Sequence, residues 1–224
     1  MCPVGLTDEA VKKKVVEQLY WDARVDASNI AVEAKDGKVT LSGTVPSYFS
    51  MLSAVGDVWE TAGVTAVDNL LKIRFSEDRE TPDDRRILAT LENKLFTNPD
   101  IDVSEVNVSV KDGEVTLTGT VDAYWVKLHI ADLVSQENGV TGIRNQLAVV
   151  PTEIYPDQDI ANAVVATLER SALVDPAQVT VNVKEGVVTL SGSVPDWAAG
   201  ENAYRAAVNT EGVVDVVNNL TIAD

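Results

Sequence analysis

DGKVTLSGTV, residues 36–45, decides the fold, because the chain writes it three times. DGEVTLTGTV begins 76 residues later at Asp112, and EGVVTLSGSV a further 73 residues on at Glu185. A second motif keeps the same step: GVTAVDNLLKI from Gly63, GVTGIRNQLAV from Gly139 and GVVDVVNNLTI from Gly212. Two independent motifs sharing both spacings mark a tandem repeat of one small unit. The expected domains are residues 6–75, 82–150 and 155–223.

Outward from the quoted stretch, each unit reads in the same order. The Asp-Gly or Glu-Gly pair predicts a tight hairpin turn, glycine accepting positive φ at little cost. Before it, Ile30, Val32 and Ala34 alternate with polar residues, as do Val106, Val108 and Val110, and Val179, Val181 and Val183; this is the period of a strand with one buried face. After it, Val39-Thr40-Leu41 and its counterparts predict a second strand. Gly43, Gly119 and Gly192 mark where that strand bends or another backbone comes close. A helix opens each unit, with apolar stripes Val11/Val15/Leu19, Ile87/Leu91/Leu95 and Ile160/Val164/Leu168 at i, i+4, i+8. Asp8, Asp83–Asp84 and Asp157 lie at the helix starts, where carboxylates are favoured. A second helix is expected from about Pro46 to Thr61 and at the same place in the other copies. The GV-x-x-[VI]-x-N-x-L segment then supplies a third strand. The predicted class is α+β: three tandem αββαβ domains, each a three-stranded sheet covered on one face by two helices. At about 70 residues each core is marginal, so contact between copies should add stability. The connections SEDRETPDD (76–84) and PTEIYPDQD (151–159) are polar and proline-containing, which restricts inter-domain motion.

The [DE]G-x-V-T-L-[ST]-G-[TS]-V hairpin followed by the GV-x-x-[VI]-x-N-x-L strand resembles the BON domain (bacterial OsmY and nodulation), over all three copies. WDARVDASNIAVEAKDGKVTLSGTVPSY, residues 21–48, is similar to OsmY-like proteins with several such domains. The resemblance implies an αββαβ fold and a non-enzymatic role. It also implies links to phospholipid attachment, envelope integrity, osmotic stress and, in some members, chaperone activity or potassium binding. The chain differs from the common pattern in having three copies, no export signal and no LysM domain.

The chain of 224 residues carries a formal charge of −17, which repels phosphates and argues against nucleic-acid binding. The charge is uneven: residues 1–76 hold 10 acidic and 8 basic groups, residues 77–150 hold 14 and 7, and residues 151–224 hold 11 and 3. The first third is nearly neutral. If a lipid surface is bound, that third is expected to bind it. Lys12-Lys13-Lys14 is the single basic run, and its residues fan around a helix turn as a solvated face. The opening MCPVGLTDEAVKKK has no apolar signal core, and no apolar run is long enough to cross a bilayer. A cytoplasmic location is expected, or a periplasmic one if an export signal was removed. The lone cysteine, Cys2, excludes an internal disulfide; it reads as a free thiol, or as the lipid acceptor of a lipoprotein.

No residue pattern nominates a catalytic site, a metal site or a cofactor. His129 is the one histidine, with Ser53 and Asn202 at its place in the other copies. Each Asp-Gly or Glu-Gly pair offers one carboxylate where a calcium loop needs several oxygens. The glycines are not followed by the residues of a phosphate loop. Tyr48, Tyr124 and Trp197 share one repeat position at the start of the second helix, and Phe49 and Trp125 follow two of them. These five are the candidate contact surface, with packing between copies as the competing role. Trp21 and Trp59 occur in the first copy alone. The function implied is a stress-related binding protein, monomeric or weakly self-associating, that touches phospholipid membrane surfaces or protein clients. A cytoplasmic potassium sensor is the alternative.

Overall fold

The computed structural model describes residues 6–75, 81–99 and 101–223; Cys2 and residues 76–80 of the first connection lie outside them. The first repeat runs α1 (Asp8–Trp21), β1 (Ile30–Lys35), β2 (Lys38–Val45), α2 (Tyr48–Trp59), β3 (Ala66–Ile73). The second runs α3 (Asp84–Phe96), β4 (Val106–Lys111), β5 (Glu114–Val121), α4 (Tyr124–Ser135), β6 (Gly142–Val149). The third runs α5 (Asp157–Glu169), β7 (Val179–Lys184), β8 (Val187–Val194), α6 (Trp197–Val208), β9 (Asp215–Ile222). The α+β architecture is as the repeat predicts. The second helices are shorter than expected, α2 beginning after its cap Ser47, whose Oγ accepts the Ser50 N–H at 3.0 Å. The described residues fall into two compact units. One holds the first repeat and parts of the second; the other holds Thr90–Ser109, Thr116–Leu133 and the whole third repeat.

Each sheet has the middle strand of its repeat at the centre, in the orders β1-β2-β3, β4-β5-β6 and β7-β8-β9. In the first, β1 pairs antiparallel with β2 from Ile30↔Gly43 to Lys35↔Lys38, and β2 pairs parallel with β3 from Lys38↔Ala66 to Val45↔Ile73. The third repeat reproduces this register, from Val179↔Gly192 and from Val187↔Asp215. The parallel pairing requires α2 and α6 as crossovers. Val39, Leu41 and Val45 are buried beneath α1 and α2 together with Val11, Val15, Leu19, Ala54 and Val58. Thr40, Ser42 and Thr44 point the other way, as the period of two demands.

One turn joins these parts. Asp36 and Gly37 have φ of 50° and 76°, the pattern of a primed hairpin turn, and Asp112–Gly113 and Glu185–Gly186 repeat it. The carboxylate at the start of the first helix grips the turn. Asp8 Oδ1 accepts the Asp36 N–H, Asp84 accepts those of Asp112 and Gly113, and Asp157 those of Glu185 and Gly186, all at 2.9 Å. The turn glycine's carbonyl in turn accepts the N–H of Thr65, Thr141 or Val214, just before the last strand. Gly43 answers a second need: with φ 116°, a Cβ there would fall onto the carbonyl oxygen of Asn29. Gly119 and Gly192 stand in the same relation to Glu105 and Gln178. Close backbone approach is therefore what requires a glycine at this position.

Asn69, Asn145 and Asn218 explain the asparagine of the last-strand motif. Each side-chain Oδ1 accepts the N–H two residues on, at 3.0, 3.2 and 3.1 Å. The acceptor occupies an N–H of an edge strand that would otherwise be open to pairing with another chain.

Gly43→Ala should destabilise the first repeat by about 2–4 kcal/mol, while Ser42→Ala stays within about 0.5 kcal/mol. Urea unfolding followed by hydrogen exchange of β1–β3 checks this, and equal midpoints would refute it. The Gly186 N–H, and then that of Glu185, hold the Asp157 carboxyl below its ordinary 3.8. A lowered folded-state value contributes stability that is complete above 3.8 and lost as pH falls through the folded value. Asp157→Ala should therefore flatten the acid limb of the third repeat's stability profile without altering its slope near neutrality.

Candidate functional site

The five aromatics of the expected contact surface have different fates. Tyr124 is 7% exposed and belongs to the core of the third repeat, among Val188, Leu190 and Ala203. Its hydroxyl lies 3.4 Å from that of Tyr204, and burial, with Tyr204 next, raises its ionisation well above the ordinary range. Tyr124 is therefore a packing residue between the second and third repeats: the ring is worth more against apolar side chains than in water. Trp125, next to it, is 39% exposed, with its ring centroid 6.3 Å from that of His129. Tyr48, Phe49 and Trp197 are half-buried, and burial raises the Tyr48 hydroxyl.

The most exposed aromatic pair lies elsewhere. Tyr20 and Trp21 end α1, 73% and 80% exposed, with ring centroids 5.4 Å apart, edge to face. Val16 is exposed one turn earlier. Phe96, the counterpart of Tyr20 in the second repeat, is also exposed, whereas the third repeat has Glu169 there. Trp21 borders a groove between the ends of α1 and α2, with Lys14, Glu17, Glu60 and Thr61. Trp21 is one of the two tryptophans that the sequence places in the near-neutral copy. Tyr20 was legible too, since both residues fall outside the Val11/Val15/Leu19 stripe and so face away from the core. Trp59 packs against the first core instead.

Beside this groove lies a cluster that the repeat pattern does not announce. Arg24 donates from Nε to both Asp22 oxygens at 3.0 and 2.9 Å, and its Nη2 is 2.8 Å from Oδ2. The Asp22 carboxyl is accordingly held below its ordinary range, Arg24 being the main cause. Asp57 of α2 is 2% exposed, and the same Nη2 stays 3.8 Å from its Oδ1. Its Oδ2 has no N–H or O–H partner, and neither do the buried Oγ atoms of Ser50 and Ser53 on the same helix. The counterparts of Ser50, Ser53 and Asp57 are Val126, His129 and Leu133 in the second repeat, and Ala199, Asn202 and Ala206 in the third. The same junction is closed differently there. Lys94 Nζ donates to the Leu133 carbonyl at 2.7 Å, and Ser171 Oγ bonds Asn202 Oδ1 at 2.7 Å.

Among the described residues, no group of three or more His, Cys, Asp or Glu side chains is placed to hold a metal ion, and no helix is long and apolar enough to cross a membrane. The three αββαβ units with their pinned hairpins define a tandem-repeat protein. The BON domain family matches residues 7–74, 83–151 and 156–224, and the chain belongs to it. It is similar to osmotically-inducible protein Y of Escherichia coli, 27% identical over 145 residues, 63% of this chain and 72% of that protein. It is also similar to a 21 kDa hemolysin of Actinobacillus pleuropneumoniae, 32% identical over 116 residues, half of this chain and 59% of that protein. An uncharacterized protein in the gshII 5′ region of Anaplasma centrale is 26% identical over 62% of this chain and 95% of its own length.

Tyr124→Ala should cost the third repeat about 3–5 kcal/mol, as aromatic-to-alanine changes in cores do. Trp125→Ala, one residue away, should cost far less. Thermal unfolding of both variants tests the assignment, and a reversed order would overturn it.

Proposed function

We propose that this chain is a non-enzymatic binding protein of the osmotic-stress response whose first repeat rests on phospholipid membrane surfaces. The observation that carries the reading is the exposed Tyr20–Trp21 pair at the end of α1, continued by Val16. Tyrosine and tryptophan combine an apolar ring with a polar edge and so favour the boundary between headgroups and acyl chains. Lys13 and Lys14 flank the pair on the same helix, and the first third of the chain carries little net charge to oppose approach to an anionic bilayer. The second and third repeats, strongly acidic, stay in solution. The names of the relatives agree with this reading: one is osmotically inducible and another is a hemolysin. A membrane-facing role also accords with a periplasmic or envelope setting.

Sedimentation of the whole chain with anionic liposomes tests the proposal. Wild type should co-sediment, and the double variant Tyr20→Ser/Trp21→Ser should bind at least about tenfold more weakly, the loss of roughly 1.4 kcal/mol of apolar transfer. Trp125→Ser should bind like wild type. No association of wild type would remove the lipid reading; retention of binding by the double variant would move the contact elsewhere.

A further inference from the structure

We propose that Asp22, Arg24 and Asp57 form a proton-controlled lock between the ends of α1 and α2 in the first repeat, closed when Asp57 carries a proton and loosened when it ionises. One guanidinium faces two carboxylates here and is committed to one of them. Arg24 makes its short contacts to Asp22, whose Oδ1 also accepts the Arg24 backbone N–H at 2.8 Å. The remaining distance to Asp57, 3.8 Å, is beyond hydrogen bonding. A charged Asp57 would thus sit 2% exposed without an adequate counterion, the arrangement that burial penalises most. A proton on Asp57 removes that charge and supplies the O–H that the neighbouring Asp22 carboxylate can accept. The charged groups that face Asp57 are Asp22 and Arg24 from the segment after α1, and Glu60 from the end of its own helix.

Burial first, and the charge of Asp22 second, push the Asp57 carboxyl up to about 7, with Arg24 pulling the other way. A folded-state value raised above the ordinary 3.8 has a definite sign. Its stabilising contribution is complete below 3.8 and is lost as pH rises to about 7, opposite to the usual carboxylate. Ionisation removes the O–H that Asp22 could accept and leaves Asp22, Asp57 and Glu60 around one arginine. The strain falls on the two helix ends, because the Asp22 N–H bonds the Gln18 carbonyl and the Thr61 hydroxyl bonds the Asp57 carbonyl. Those ends carry Trp21 and Glu60. Leu133 and Ala206 occupy the place of Asp57 in the other repeats, so the lock belongs to the first alone.

The test uses the whole chain. Carboxyl-carbon NMR should show Asp57 titrating near neutrality. Hydrogen exchange of residues 18–25 and 57–61, corrected for intrinsic rates, should quicken by up to about tenfold per pH unit between pH 5 and 7. The matching segments of the third repeat should not change. Asp57→Asn should abolish the dependence, and Asp22→Asn should move the Asp57 titration to lower pH. Titration of Asp57 in the ordinary carboxylate range would overturn the proposal, as would the same pH dependence in Asp57→Asn. Should Asp57→Asn fail to fold, Asp22→Asn decides: an unmoved titration overturns the lock.

Discussion

The carboxylate that begins each first helix, accepting one N–H of the hairpin turn in the first repeat and two in each of the others, is the contact from which the rest of each repeat is positioned. The turn needs positive φ at two successive residues, and the first of them is Asp36, Asp112 or Glu185 rather than glycine. A side chain in that region is costly. Asp8, Asp84 and Asp157 offset the cost by satisfying N–H groups that the turn would otherwise leave to water. The turn glycine then offers its carbonyl to the residue before the last strand, so one turn ties the first helix, the hairpin and the parallel third strand. Remove it and the stripe of Val11, Val15 and Leu19 has no fixed register over Val39 and Leu41. For cores this small, such polar fixing matters more than it would in a large domain.

This explains which features were legible in the sequence. Periodicity and the Asp-Gly turn are local, and repetition at two spacings multiplies a weak local signal into a firm one. The helix-start aspartates were visible as favourable helix charges, yet their grip on the turn joins residues 28 apart and leaves no periodic trace. Gly43 read as a bend or a close approach; the carbonyl of Asn29 decides for the second. The asparagine of the last-strand motif was visible as a letter, and its role appears once the strand lies at an edge.

The site was less legible, for a related reason. Recurrence at Tyr48, Tyr124 and Trp197 reports what the repeat needs, and a repeat needs packing at its joints. Tyr124 accordingly disappears into the third repeat's core. Where copies differ, a repeat comparison has no second instance to confirm a reading. Tyr20 has an exposed aromatic counterpart in Phe96, but Trp21 is such a residue. So is Asp57, whose position is apolar in both other copies.

A tandem array separates two demands that a single domain must reconcile. The second and third repeats each close the junction between their helices with a short side-chain hydrogen bond, Lys94 to a carbonyl and Ser171 to Asn202. The first repeat instead holds a buried acid and unpartnered serines, which burial penalises. The same copy exposes Tyr20 and Trp21 and carries the least net charge. Two departures from the other copies therefore fall on one end of one domain: the exposed Trp21 ring and a poorly paired buried carboxylate. Departures of that kind lower stability without improving the fold. Their convergence at the ends of α1 and α2 is the physical ground on which the proposal for the first repeat rests.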